Sequence, residues 1–233
     1  MRINRYLASA GLCSRRQADQ MIRQGRVLIN GKAAKLGSEV SLGDQVRVDG
    51  REIRLSPSEE SLVLAFNKPR GITSTSDPTR RDNIISYINY PKRIFTVGRL
   101  DRDSRGLILL TDDGHLAHRI MHASFGHEKE YRVKVDREVT EIFLEAMRCG
   151  VNILGQTTRP CKAWKSGPKE FHLVLNQGLN RQIRRMCQAL DYQVTDLVRV
   201  RIMHITLGSQ PEGSIRPLTH KEKEILVEKL GLD

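Results

Sequence analysis

The chain has 233 residues, 39 Lys and Arg against 27 Asp and Glu, a formal net charge of +12 and 39% hydrophobic residues. That content supports a packed core in one large or two smaller domains and excludes a disordered chain. No apolar run approaches the ~20 residues needed to cross a bilayer, so the charge excess points to nucleic acid ahead of an anionic membrane surface.

The first 35 residues hold Arg2, Arg5, Arg15, Arg16, Arg23, Arg26, Lys32 and Lys35 against Asp19 alone. Ile3, Leu7 and Ala8 give one apolar face of a short helix. Ser14 is placed to cap a second helix that runs through Ala18, Met21 and Ile22 to a stop at Gly25. A strand at 27–29 closes on Asn30-Gly31, a hairpin-turn pair, and another strand carries Val46 and Val48. Residues 1–48 therefore read as a small domain, and the polar, Pro-containing 49–61 as a linker. A second domain, 62–233, opens on the buried-strand run 62–66. Strands are expected at 94–97, 107–111, 131–135, 161–164, 171–175 and 199–207, and helices at 82–88, 115–121, 140–148, 181–190 and 221–230. Strands 131–135 and 199–207 alternate polar and apolar residues, the mark of a half-exposed antiparallel sheet. The fold class is α+β: a mixed, mostly antiparallel sheet flanked by helices, expected on one side.

Cys13, Cys149, Cys161 and Cys187 are scattered, without a C-x-x-C pair, and read as reduced thiols. The N-terminus lacks the apolar core of a signal peptide, so a cytoplasmic protein is expected. His115, His118 and His122 share a helical face, but no nearby Cys or carboxylate completes a metal set, and they read as surface histidines.

Two stretches concentrate polar chemistry. In GRLDRDSRGL, Asp101 and Asp103 sit among Arg99, Arg102 and Arg105. In NRQIRR, Arg181, Arg184 and Arg185 crowd the start of a helix, where cations oppose the macrodipole unless an anion is to be met. A carboxylate repels phosphate, so in such a surface it is either a turn former or a reacting group kept ionised by arginine. Tyr131 enters a strand, and its position alone fits a core tyrosine as well as a functional one. P-loop, Rossmann and metal-ligand patterns are absent, so any chemistry is expected to need no cofactor and no metal.

In order along the chain, NKPRGITST, GRLDRDSRGLILLTDDG, HEKEYRVKVD and GLNRQIRRM resemble the motifs of the RsuA-type bacterial pseudouridine synthases. RINRYLASAGLCSRRQADQMIRQGRVLINGK resembles the S4 RNA-binding domain that these enzymes carry at the N-terminus. HEKEYRVKVD and NRQIRRMCQALDYQVTDLVRVRIM look nearest to the RluF subgroup, which acts on 23S ribosomal RNA. The resemblance implies isomerisation of uridine to pseudouridine without cofactor: the glycosidic N1–C1′ bond breaks, uracil turns, and C5 bonds to C1′. It implies Asp101 as the catalytic aspartate, as nucleophile or as base, with Tyr131 on the target base and Arg184 pairing with the aspartate. Ile183 takes the neighbouring apolar position. Arg99, Arg102, Arg181 and Gln182 would line the RNA path, and Asp103 would shape the loop.

Arg2, Arg5, Arg15, Arg16 and Lys32 of the S4 domain would take phosphates, making binding strongly salt-dependent. A monomer acting on ribosomal RNA, with no membrane partner, is expected. Longer relatives carry a basic C-terminal tail, so the folded part is expected to supply here whatever affinity such a tail lends. Two rivals remain. One is a non-catalytic S4-type RNA-binding or ribosome-assembly factor. The other is a nucleoside hydrolase, which needs a second carboxylate across the sugar.

Overall fold

The computed structural model describes residues 1–55, 61–77, 79–121 and 126–231. The chain divides into two compact units, Met1–Ser61 with Asp112–Gly114, and Leu62–Thr111 with His115–Asp233.

In the first unit, helices α1 (Ile3–Ser9) and α2 (Arg15–Arg23) precede strands β1 (Val27–Ile29), β2 (Lys32–Ala33), β3 (Val46–Val48) and β4 (Arg51–Ile53). Ser14 closes a capping box: its hydroxyl accepts from Gln17 N–H at 3.1 Å, and the Gln17 side chain accepts from Ser14 N–H at 2.9 Å. Ala18 and Ile22 then face a core of Ile3, Leu7, Val27, Val46 and Val48. The strands run in the order β2-β1-β3-β4. Asn30 and Gly31 turn the first hairpin with φ of 52° and 78°. Asp49 and Gly50 repeat that geometry at 50° and 78°, so β4 pairs with β3 inside the stretch expected to be linker. The Asp-Gly pair is the hairpin signal that the polar composition of 49–61 hides.

The second unit carries β5 (Val63–Lys68), α3 (Ile84–Ile88), β6 (Phe95–Val97), β7 (Arg105–Thr111), α4 (Gly114–Met121), β8 (Lys129–Val135) and α5 (Glu141–Cys149). It continues with β9 (Asn152–Ile153), β10 (Gln156–Thr157), β11 (Lys162–Gly167), β12 (Glu170–Leu175), α6 (Gln182–Ala189), β13 (Val194–Ile202), β14 (Ile205–Thr206), β15 (Ile215–Pro217) and α7 (His220–Leu230). The large sheet runs β11-β12-β8-β13-β7-β5-β15, with β14 on β13 and β6 on β7. Strand β13 pairs parallel to β7, and the other pairings are antiparallel. The mixed, mostly antiparallel sheet is as expected, but helices cover both of its faces. Leu64, Phe66, Ile108 and Leu110 pack with Ile84 of α3, while Val63, Ala65, Leu107 and Leu109 pack with α4 and α7. The physical reason lies in β5 itself: every residue of it is buried, the pattern of a strand covered on both sides.

At the parallel contact, Gly106 stands opposite Arg199 with φ of 104°. A Cβ there would lie 2.4 Å from the Arg199 carbonyl oxygen, so only glycine lets the two strands meet.

Candidate active site

Residues 98–104 link β6 to β7 and are gripped chiefly from one segment, 68–82. The Ser74 hydroxyl, 4% exposed, donates to the Leu100 carbonyl at 2.9 Å and accepts from Leu100 N–H at 3.1 Å. Gly71 N–H donates to the Arg102 carbonyl at 2.9 Å. Arg102 Nε donates to the Gly71 carbonyl at 3.2 Å and to Asp82 Oδ2 at 3.1 Å. Hydrogen bonds from Thr73 and Arg80 hold the Asp82 carboxyl down at about 2, so it stays an anion under Arg102. The wholly buried Lys68 donates from Nζ to the Ser104 carbonyl at 2.7 Å and to the Pro69 carbonyl at 2.8 Å. The loop is thus pinned at Leu100, Arg102 and Ser104.

Asp101 sits at the centre of this grip, half-buried. Its carbonyl accepts from Ser104 N–H at 3.1 Å. Among the described residues its carboxylate takes part in no ion pair and no hydrogen bond. The neighbouring carboxylates differ. Asp196 binds Arg70 and Arg105. Burial works to raise its carboxyl, but the bonds from Arg105 and Arg70 outweigh that and hold it at about 2. Asp103 meets Arg181 at 3.8 Å. So of the three loop arginines, Arg105 is spent on Asp196 and Glu212, Arg102 is tied through Nε, and Arg99 alone has an unpaired guanidinium among the described residues.

The cations around Asp101 are arranged otherwise than the resemblance implied. Arg184 makes no ion pair with Asp101. It donates to the Asp103 carbonyl at 3.1 Å and to the Val194 carbonyl at 3.4 Å. Burial, and then Arg181, press its guanidinium below the ordinary value, while Asp101 and Asp103 pull the other way. It remains charged and acts on Asp101 through space. Lys68 adds a second positive group, which sequence reasoning missed because a buried lysine at a strand end looks like any turn-flanking cation. Arg199, 2% exposed, holds the start of the loop: its Nε donates to the Leu107 carbonyl at 2.7 Å and its Nη1 to the Arg99 carbonyl at 3.4 Å.

Tyr131 on β8 packs where the cluster under α5 and α6 meets the cluster under α3, and its hydroxyl has no partner among the described residues. That is a half-buried ring with a free polar end. Ile183 is 5% exposed and belongs to the core. Gln182 departs from the expected RNA-lining role. It is 4% exposed, accepts from Leu179 N–H at 3.0 Å and points its amide at Met186 Sδ, closing the start of α6. Arg181 precedes α6 in a left-handed conformation with φ of 51°. In the first unit, Arg2, Arg5, Arg15, Arg16 and Lys32 are all exposed and make no side-chain ion pair among the described residues. His122 of the expected histidine face lies outside the described residues, and no cluster of three or more His, Cys, Asp or Glu stands ready for a metal among the described ones. No described helix is long and apolar enough to cross a membrane.

Burial pushes the Lys68 ammonium from 10.5 down to about 8 against the pull of Asp101, Asp103 and Glu212. Between those two values the folded protein binds fewer protons than the unfolded chain. Stability from this group therefore rises with pH through that window and is lost as pH falls through about 8. The full excursion is worth about 3 kcal/mol. Unfolding titrations in urea between pH 7.5 and 10 should show this rise in the parent and a flatter curve in Lys68→Met. Lys129, also pushed to about 8 by burial, stays in both proteins and cancels in the difference.

A clamped loop offering a free carboxylate, a tyrosine with an unengaged hydroxyl, and a separate basic unit are parts that suit an enzyme acting on a polyanion. Comparison with known proteins supplies the class. Residues 62–189 match the RNA pseudouridylate synthase family and residues 1–46 the S4 domain. The chain belongs to the RNA pseudouridylate synthase family. It is 49% identical to the dual-specificity RNA pseudouridine synthase RluF of Salmonella typhi, over 95% of this chain and 76% of that protein. It is 33% identical to the ribosomal large subunit pseudouridine synthase B of Bacillus subtilis, over 95% of this chain and 93% of that one. A solved pseudouridylate synthase superposes with a TM-score of 0.71 at 33% identity, covering 97% of this chain and all of its own.

Proposed function

We propose that this protein converts one uridine of 23S ribosomal RNA to pseudouridine, as a cytoplasmic monomer, with Asp101 as the reacting group. The observation that carries the reading is the Asp101 carboxylate, fixed by its loop on both sides yet left without a side-chain partner. An acid used for folding is bonded, as Asp82 and Asp196 are. An acid kept for substrate is held by its backbone and left open. Lys68 and Arg184 add positive field at Asp101 without occupying its oxygens.

The C1′ of a stacked nucleotide is out of reach, so the target is flipped out at a cost of a few kcal/mol. Tyr131 then offers a ring face to the uracil and an unengaged hydroxyl to relay the proton that leaves C5, while N1 takes one up. Arg184 holds the Asp103 end of the loop and adds positive field. Ile183 backs the site as packing. Arg99, Arg102 and Arg181 lie along the RNA path, and Arg2, Arg5, Arg15, Arg16 and Lys32 take phosphates on the S4 unit. The reaction moves one glycosidic bond from N1 to C5 with no net redox change, which a carboxylate runs without a cofactor. The ribosomal large-subunit substrate named for the Bacillus subtilis relative supports the choice of 23S RNA.

Mapping pseudouridines in the RNA of cells with and without the protein tests the proposal. One 23S position should be lost. Loss only in 16S or transfer RNA moves the substrate, and no loss anywhere removes the reading.

A further inference from the structure

Beside the Asp101 loop lies a cavity of about 380 Å³, walled by the 74–76 segment, α3, β6, residues 98–99 and the end of α4. We propose that it seats a second nucleotide of the RNA, one flanking the target uridine. The proposal rests on the reading above that RNA is the substrate of the Asp101 site.

Four observations converge on a nucleotide. The volume lies within the roughly 300–1,000 Å³ of small-ligand sites. The apolar walls are Phe95, Ile85 and Met121, an aromatic ring, a branched aliphatic chain and a thioether, which accept the face of a base. The hydroxyls of Ser76 and Thr96 line the same space and have no hydrogen-bond partner among the described residues. A hydroxyl both donates and accepts, so the pair suits a base edge. At the rim stands Arg99, the loop arginine whose guanidinium is unpaired and whose fork fits a phosphate.

Gly98 keeps the space open. With φ of 79°, a Cβ there would point at Met121 and stand 3.8 Å from its Cγ and Sδ, so a longer side chain would enter the gap. The cavity is also built into the Asp101 grip. Ser74, which holds Leu100 by two hydrogen bonds, forms part of its wall, and Arg99 lies two residues before Asp101. A nucleotide seated there is read by the enzyme outside the uridine pocket and steadies the loop that carries the reacting carboxylate. Sequence choice then comes partly from this neighbour.

The test uses the 23S fragment that the parent enzyme modifies, remade with a single abasic nucleotide at each position flanking the target. For the parent, one flanking position should cost about tenfold or more in kcat/KM. Thr96→Trp, which fills the cavity, should lose about tenfold on the intact fragment, mostly through KM. On that one abasic fragment it should match the parent. Met121→Trp, from the exposed rim, should repeat the pattern if Thr96→Trp folds poorly. Parent-like kcat/KM of both variants on the intact fragment would overturn the proposal, as would equal losses on intact and abasic RNA. Absence of pseudouridine with the parent on every fragment would instead overturn the underlying reading.

Discussion

Asp101→Asn should stop pseudouridine formation, lowering kcat by at least about 10³-fold, while RNA affinity stays within about twofold of the parent. The separation is sharp because of where the side chain stands. Its oxygens bond nothing among the described residues, and the loop is held at Leu100, Arg102 and Ser104 through other groups. Asparagine keeps the shape and disturbs none of those bonds, so unfolding should shift little. The change removes a negative charge from a surface that meets phosphates, so binding is not weakened. Pseudouridine content of the 23S fragment by mass spectrometry, beside RNA affinity by titration, reads both quantities. Full turnover in the variant would move the chemistry to another group, and absence of pseudouridine with the parent as well would revive a pure RNA-binding role for the chain.

Local signals made much of the architecture legible. Ser14 with Gln17, the Asn30-Gly31 turn and the alternation through β8 each act within a few residues, and each gave the right element. The Asp49-Gly50 turn was just as local but was outweighed by its polar surroundings. Coverage of the sheet on both faces was written in the apolar run 62–66 that opens β5. The site was legible only in part. The loop announced itself by its charges, but what holds it is tertiary: Ser74 reaches Leu100 across 26 residues and Lys68 reaches Ser104 across 36. Nothing in a serine within ITST, or in a lysine before a proline, marks it as buried. The same limit explains Gln182, which sits among arginines in sequence and turns inward in space to accept from Leu179 N–H. It also explains Arg184, whose partner is a loop carbonyl and not the carboxylate beside it.

The second large effect is expected at Ser74. Ser74→Ala removes both bonds to Leu100 and leaves its N–H and carbonyl unpaired in a residue only 7% exposed. That should cost roughly 2 kcal/mol of stability. The larger consequence is catalytic. Leu100 immediately precedes Asp101, and a displacement on the order of 1 Å of a reacting group lowers rate about 10²-fold. The remaining clamps at Arg102 and Ser104 act on the other side, and on the near side only the longer 3.4 Å bond from Arg199 to the Arg99 carbonyl is left, so the loop stays in place but loses its main near-side anchor. The expected pattern is kcat down about 10²-fold with RNA affinity unchanged. A destabilised control separates positioning from general loosening. Leu226→Ala empties a site 2% exposed in the α7 cluster, on the opposite face of the sheet, at a comparable or larger cost of about 2–5 kcal/mol. Assayed below the melting transition of both variants, Leu226→Ala should retain kcat and Ser74→Ala should not. Equal kcat in the two would reduce Ser74 to a packing residue and leave the geometry of Asp101 to Arg102 and Lys68.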